Sequence, residues 1–194
     1  MYAGGTPQRG HGVLQLEAGF PSLLSLAYHY ALSDRFTLGV RASFDYGVDQ
    51  QDIVFEPTGW VQLALRWSLR RDRLSIGLRC EPGGGVSLAQ VASFGRVLAT
   101  YTVLDVIVPI GFAVEYHFSR VALGAGLDAA LLIAIPTTGA ALTEQVPLRL
   151  GPLFEASLSQ NVLLVVDAKA GVLIPTSGNF FFVFRAVAGI AVHL

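Results

Sequence analysis

Apolar residues alternate with polar or small residues along most of the chain, with a period of two that is typical of β-strands. The segment 36–47 shows this best: Phe36, Leu38 and Val40 begin one face, and the residues between them form the other. Ten segments carry the pattern: 13–20, 24–32, 36–47, 60–69, 73–81, 108–118, 121–133, 148–158, 162–174 and 180–194. The alternation therefore predicts an all-β protein of ten strands.

The links between these segments alternate in length. Short turns are predicted at 33–35, 70–72, 119–120 and 159–161, and longer links at 48–58, somewhere within 82–106, at 136–146 and at 175–179. The link at Pro21 and Ser22 is short although it falls on the long-loop side, so a count of eight strands stays open. Neither an internal repeat nor a linker interrupts residues 1–194, which predict one antiparallel up-and-down β-barrel domain.

Composition bears on where such a barrel would reside. The 194 residues are 53% hydrophobic and 14% charged, with a mean hydropathy of +0.55, whereas a soluble domain has about 25% charged residues. A transmembrane helix would need roughly 20 consecutive apolar residues, and charges such as Asp105, Glu115 and Asp128 interrupt the candidates. These features favour a β-barrel whose strands cross a membrane.

Two further features favour an apolar exterior and a polar lumen. The polar face is built mainly of Gly, Ala and Ser with isolated charges, unlike a soluble surface, and the strands have the length of about ten residues that a tilted membrane strand needs. A soluble, lipocalin-like carrier of an apolar ligand stays open as an alternative.

Aromatic residues on the apolar face fall into two groups at the strand ends, as expected of membrane-interface aromatics. The group beside the short turns is Tyr28, Tyr30, Phe36, Trp67, Tyr116 and Phe118; the group near the longer loops is Phe20, Phe44, Tyr46, Phe180 and Phe182.

With this pattern, the chain resembles the small outer-membrane β-barrel proteins of Gram-negative bacteria, of the OmpA, OmpX and OmpW kind, from about Val13 to Leu194. The resemblance implies residence in the bacterial outer membrane, short periplasmic turns, longer extracellular loops, and insertion by the barrel-assembly machinery. In that family the last strand usually ends in an aromatic residue, whereas this chain ends in Leu194. No signal peptide is apparent at the start of this numbering.

The polar face supplies a nearly balanced set of charges. A lumen network is predicted from Glu17, Arg41, Asp45, Arg66, Arg79, Glu81, Glu115, Asp128, Arg149, Glu155, Asp167, Lys169 and Arg185. Because unpaired charges are costly in a narrow, low-dielectric interior, we expect them to pair. The pairs would either plug the lumen as a structural element or leave a narrow, porin-like channel.

Metal and cofactor sites are not expected. His29, His117 and His193 point inward near the short turns, but they lie on the second, sixth and tenth strands, too far apart for bonds of about 2 Å to one zinc ion. The acidic residues of the first long link match no calcium loop; they are Asp49, Asp52 and Glu56.

Enzymatic activity is not expected either, because no G-x-S-x-G motif occurs and no nucleophile is placed beside a histidine. A net charge of −1 gives no reason to expect a nucleic acid partner. The expected partners are the lipid bilayer, the assembly machinery and, through loops 48–58 and 82–106, an extracellular or protein partner. The apolar residues of 82–106 fit strand extensions or a short amphipathic helix. Loop-mediated binding or adhesion is thus an alternative function.

Overall fold

A computed structural model of the chain describes residues 9–49, 54–93, 96–138, 142–175 and 179–194. It consists of β-strands joined by turns, and no helix long and apolar enough to cross a membrane occurs in these ranges. The strands are β1 (Gly12–Phe20), β2 (Ser22–Ala31), β3 (Phe36–Asp49), β4 (Val54–Arg71), β5 (Leu74–Cys80), β6 (Gly83–Ser93), β7 (Arg96–Phe118), β8 (Val121–Pro136), β9 (Thr143–Ser157), β10 (Val162–Pro175) and β11 (Phe181–His193).

The strands form one closed antiparallel barrel. Strands pair with their neighbours in chain order, except that β5 and β6 both pair with β4 and β7, and β1 pairs with β11 from Val13–His193 to Phe20–Ala186. Such closure removes the exposed sheet edges that would otherwise invite aggregation. The all-β, up-and-down barrel predicted from the alternation is confirmed.

Segments β5 and β6 are two halves of one barrel strand. On β4, Leu65 pairs with Cys80 and Gln62 pairs with Gly83, so the register continues across the break. The register against β7 continues in the same way. The eleven segments therefore make a barrel of ten strands, as the sequence predicted.

Two prolines explain the break between the halves. Glu81 N–H donates to the Pro109 carbonyl at 3.0 Å, but Pro109 has no N–H to complete the pair. The side chain of Gln62 takes its place, because its Nε2 donates to the Glu81 carbonyl at 3.0 Å. Pro82 likewise lacks a donor, while its carbonyl accepts from Leu63 N–H at 2.8 Å. The ladder is interrupted here, but the Glu81, Pro82 and Pro109 carbonyls keep partners.

The long link predicted within 82–106 is largely replaced by strands, and of the two interpretations of its apolar residues the strand extension is confirmed. These residues extend the barrel strands as β6 and the first part of β7, which pair from Gly83–Ile107 to Ser93–Arg96. The glycines at 83–85 obscured the alternation, although a glycine can occupy a strand where a neighbouring group approaches closely.

The link at 48–58 is also shorter than predicted. Strand β3 continues to Asp49 and β4 begins at Val54, with Asp49 paired to Val54. Asp52 lies outside the described residues, and the side chains of Asp49 and Glu56 are not described. The predicted link at 136–146 is shortened in the same way, because β9 begins at Thr143. The link predicted at 175–179 keeps its length, because β10 ends at Pro175 and β11 begins at Phe181.

The link at Pro21 is a true tight turn, which excludes the count of eight strands. Strand β1 ends at Phe20 and β2 begins at Ser22. The Pro21 carbonyl accepts a hydrogen bond from Tyr46 N–H of β3 at 2.9 Å, which ties the turn to the neighbouring wall. At this point the wall is lower than at the other hairpins of the same end.

The two faces of the barrel are the reverse of those of a soluble β-protein. Its most completely buried side chains include Lys169, His29, Gln15 and Glu115, whereas leucine, valine, isoleucine and aromatic side chains cover the outside. A lipocalin-like carrier would place its apolar face within. The structure contradicts that alternative and places the predicted apolar face outside.

Candidate functional site

The predicted interface aromatics all lie on the outer surface, and most are at least 40% exposed. At the short-turn end, the Phe36 and Trp67 rings are 4.9 Å apart between centroids, and those of Tyr116 and Phe118 are 4.7 Å apart. At the opposite end, Phe184 is a further exposed aromatic that the sequence analysis missed, although it shares the parity of Phe182.

The interior is crossed by ion pairs, beginning on the side of β1 to β5. Arg41 Nη1 lies 2.5 Å from Glu17 Oε2, and Arg41 Nε lies 3.4 Å from Glu81 Oε2. Arg66 Nη2 lies 3.3 Å from Glu81 Oε1. All four side chains are at least nine-tenths buried, so Arg41 and Glu81 bridge β1, β3, β4 and the residue following β5.

A second set of ion pairs continues the charged layer toward β10. Arg79 Nη2 and Lys169 Nζ both lie 2.8 Å from Asp128 Oδ2, and Lys169 Nζ lies 2.7 Å from Asp167 Oδ2. Arg79 and Glu81 are two residues apart on the same side of one barrel strand, so the two sets adjoin. Together they form a layer of charge along the inner wall from β1 to β10, which we call the charged layer.

Small residues on the intervening strands make room for these pairs. On β7, Gly111 is the register partner of both Arg79 and Asp128. A Cβ at Gly111 would lie 2.6 Å from Arg79 Nε and from Asp128 Oδ1. On β8, a Cβ at Gly126 would lie 3.0 Å from the Cε of Lys169. The inward glycines of the alternation are therefore the sites over which long charged side chains pass.

A cavity of about 220 Å³ lies on the long-loop side of the charged layer. Its lining includes layer residues such as Arg41 and Asp128, and also Asp45, Arg149 and Arg185. These last three side chains are half-buried. Asp45 accepts a hydrogen bond from the Ser22 hydroxyl. The structure thus places the predicted Asp45, Arg149 and Arg185 in this cavity, which we call the vestibule.

Apolar contacts fill part of the lumen on the short-turn side of the charged layer. Val13, Val165 and Ala191 form a buried cluster with Leu163 packed against it. Ala113 and Leu153 form a second contact. These residues face inward together with the polar groups of the same strands.

Two further predicted lumen acids lie near the short turns. Glu115 and Glu155 are both buried. His117 Nε2 lies 3.9 Å from Glu115 Oε2, and Glu155 and His117 line a small cavity at this end.

Asp105 is a buried lumen acid that the sequence analysis missed. Its Oδ2 accepts a hydrogen bond from the Ser87 hydroxyl at 2.7 Å. Strand parity with Ile107 and Pro109 was the signal, but Asp105 had been assigned to a loop.

The predicted separation between two of the inward histidines, His29 and His193, is wrong. Val13 of β1 is the register partner of His29 on β2 and of His193 on β11. Barrel closure therefore leaves one strand between these two histidines, where the linear count placed them eight strands apart. His117 lies on β7, away from both. Within the described ranges, no group of three or more His, Cys, Asp or Glu side chains could hold a metal ion.

Comparison with known proteins bears on the fold. No protein-family model and no curated protein sequence matches the chain. Among solved structures, the outer membrane protease OmpT from Escherichia coli matches with a TM-score of 0.54 at 9% identity, over 95% of this chain and 93% of that chain. The N-terminal β-barrel domain of Pseudomonas aeruginosa OprF matches with a TM-score of 0.48 at 11% identity, over 97% and 100%.

The likeness to OmpT shows the fold: the chain is an outer-membrane-type transmembrane β-barrel. The resemblance to small outer-membrane barrel proteins is thereby confirmed at the level of the fold. At 9% identity, this likeness carries no protease activity over to the chain.

Proposed function

We propose that the protein is an integral, non-enzymatic barrel of the bacterial outer membrane whose lumen is closed by ion pairs. The observation that carries this proposal is the charged layer, in which Arg41, Glu81, Asp128 and Lys169 connect strands that are not neighbours. A barrel of ten strands is roughly 20 Å across its backbone. Charged side chains that reach over the intervening strands into this space leave little room for a solute.

The energetics of the layer support a lasting closure. Removing one member of a buried ion pair costs about 3–5 kcal/mol, because the other charge is left in a low-dielectric site. Opening a path would have to separate such pairs or hydrate them. The packed Val13, Val165 and Ala191 cluster adds an apolar barrier on the short-turn side.

The outer membrane is the proposed location because the apolar exterior carries aromatic residues at both ends, as in barrels that span that membrane. The bilayer and the assembly machinery are then the proposed partners. A non-enzymatic role is supported by the vestibule, whose described lining includes acids, arginines and serines but neither histidine nor cysteine. Incubating the folded barrel with casein, where proteolysis would contradict the proposal, tests this point.

Planar-bilayer conductance tests the closure. We expect no steady conductance from the parent protein, and discrete current steps from Arg41→Ala or Arg79→Ala, because each substitution removes a side chain from the charged layer. Arg35→Ala, in an exposed turn, is the matched control and should stay closed. A gel mobility shift on boiling verifies that each variant is folded. Steady conductance of the parent that none of these variants alters would contradict the proposal.

A second candidate function is binding through the hairpin of β6 and β7. Strand β7 has 23 residues, which at about 3.3 Å per residue and a tilt near 40° rises roughly twice the 25 Å of an apolar membrane band. The hairpin would therefore extend beyond the bilayer. If it binds an extracellular partner, replacing 89–100 with a two-residue turn should abolish adhesion of cells displaying the barrel while leaving the heat-modifiable band intact.

A further inference from the structure

The barrel wall has a notch beside the vestibule. The β1–β11 ladder ends at Phe20–Ala186 and the β2–β3 ladder ends at Ser22–Asp45. Beyond these points β11 extends to Phe181 and β3 extends to Asp49. The turn at Pro21 thus forms a low sill between two taller strands.

The vestibule meets this notch. Pro21 and Ser22 of the sill line the cavity, together with Arg185 and Asp45 on the two flanking strands. Arg185 is the first inward residue of β11 past the end of the β1 ladder. A molecule beside the wall could therefore reach the vestibule sideways, over the sill, as well as from the loop end.

Positive charge accumulates on one side of the vestibule. Lys169 and Arg185 are register partners on β10 and β11, where like charges oppose each other. Arg149 of β9 is the register partner of Asp128 on β8 and lines the same cavity as Arg185. The charged side chains that line the whole vestibule are Arg41, Arg79, Arg149 and Arg185 against Asp45, Glu81 and Asp128, an excess of one cation. An added anion would balance the excess.

The outer surface around the notch is apolar. Phe20, Leu23 and Leu24 are exposed beside the sill, and Phe184 and Phe44 are exposed on the flanking strands. Arginines inside the vestibule and apolar side chains on the outer surface match the two ends of an amphiphile with an anionic headgroup.

We propose that the vestibule binds a phosphate or carboxylate group through Arg149 and Arg185, and that the notch admits this group as the headgroup of an anionic lipid. The planar guanidinium groups suit both anions, because each can donate two parallel hydrogen bonds. The lipid source rests on the proposed membrane setting, whereas the anion site does not. A free anion entering from the loop end would present the same chemistry to the same arginines.

Two measurements separate these sources. Native mass spectrometry of the folded protein in neutral detergent measures binding of added phosphatidylglycerol against phosphatidylcholine. Calorimetry in the same detergent measures binding of inorganic phosphate. The test variant is Arg149→Gln with Arg185→Gln. The control is Arg35→Gln with Arg120→Gln, which makes the same change of net charge at exposed turns.

We expect phosphatidylglycerol to bind at least about tenfold more tightly than phosphatidylcholine, and this preference to vanish in the test variant but persist in the control. Leu23→Asp, which puts an acid on the exposed apolar surface beside the sill, should reduce lipid binding and spare phosphate binding. Arginine-dependent phosphate binding without a lipid preference would keep the anion site and assign it to a free anion.

Equal binding of both lipids together with no arginine-dependent phosphate binding overturns the proposal, as does an equal loss in test and control variants. If the double variant does not fold on the gel assay, Arg185→Gln alone serves, with a partial loss expected. None of these readouts depends on conductance. The proposal of a closed lumen can therefore be contradicted while the anion site is confirmed, and the reverse.

Discussion

Arg79 and Asp128 form an ion pair with 2.8 Å between Nη2 and Oδ2, although strand β7 separates the strands that carry them. The pair passes over Gly111, the register partner of both residues. The arrangement of the lumen therefore depends on the absence of a side chain at Gly111 as much as on the two charges.

Gly111→Ala should lower the free energy of unfolding by about 1–3 kcal/mol, the usual cost of overpacking. The new Cβ would meet the Nε of Arg79 and Oδ1 of Asp128 at 2.6 Å, which forces the pair to move. Denaturant titration in lipid vesicles, followed by tryptophan fluorescence, measures the change. Gly59→Ala is the matched control, because its Cβ would meet nothing within 4 Å. Equal stability of the two variants would refute the role assigned to Gly111.

Lys169→Met should destabilise the barrel by about 3–5 kcal/mol, because Asp128 and Asp167 lose a buried cation. Adding Asp167→Asn removes one of the two carboxylate charges that the Lys169 cation had balanced. We therefore expect the double variant to be more stable than Lys169→Met alone, in the same titration. Additive losses from the two substitutions would show that the Lys169–Asp167 contact carries no coupling energy.

Gln62→Leu should cost about 1–3 kcal/mol, because the Glu81 carbonyl loses the side-chain donor that replaces the missing N–H of Pro109. Pro109→Ala restores a backbone N–H at that position, so in the Gln62→Leu background it should recover most of the loss. The same unfolding assay checks both. A further loss from Pro109→Ala would show that the ladder bond does not form.

Val40→Arg should cost about 2–4 kcal/mol in a bilayer, because Val40 lies midway on β3 between the interface aromatics Phe36 and Phe44 and is 56% exposed. Leu32→Arg, in a short turn, should cost about 0–1 kcal/mol. Vesicle-based unfolding compares the two. Similar costs at both positions would place the apolar band elsewhere.

The alternation alone was sufficient to predict the strands whose two faces differ clearly, such as β3, since a barrel wall separates lipid from lumen at every residue. It failed at β6 because Gly83 and its neighbours have no side chain to reveal a face. Asp105 was missed as a consequence, because its part of β7 pairs with β6 and had been assigned to the same loop.

Three-dimensional closure was the other source of error. Counting strands along the chain separates His29 from His193, whereas the barrel places only β1 between them. Likewise, the sequence indicated which charges face inward, but not which of them meet. Pairs such as Arg79 and Asp128 depend on register and on a glycine in a third strand.

The low sill at Pro21 also affects the surrounding lipid. Outward apolar residues run from Leu14 to Phe20 on β1 but from Leu104 to Phe118 on β7, which corresponds to apolar heights of about 15 Å and about 35 Å for strands tilted near 40°. The barrel thus presents hydrophobic mismatch of opposite sign on its two sides. A bilayer around it must thin beside β1 and thicken beside β7, so shorter acyl chains should collect along the wall that contains the notch.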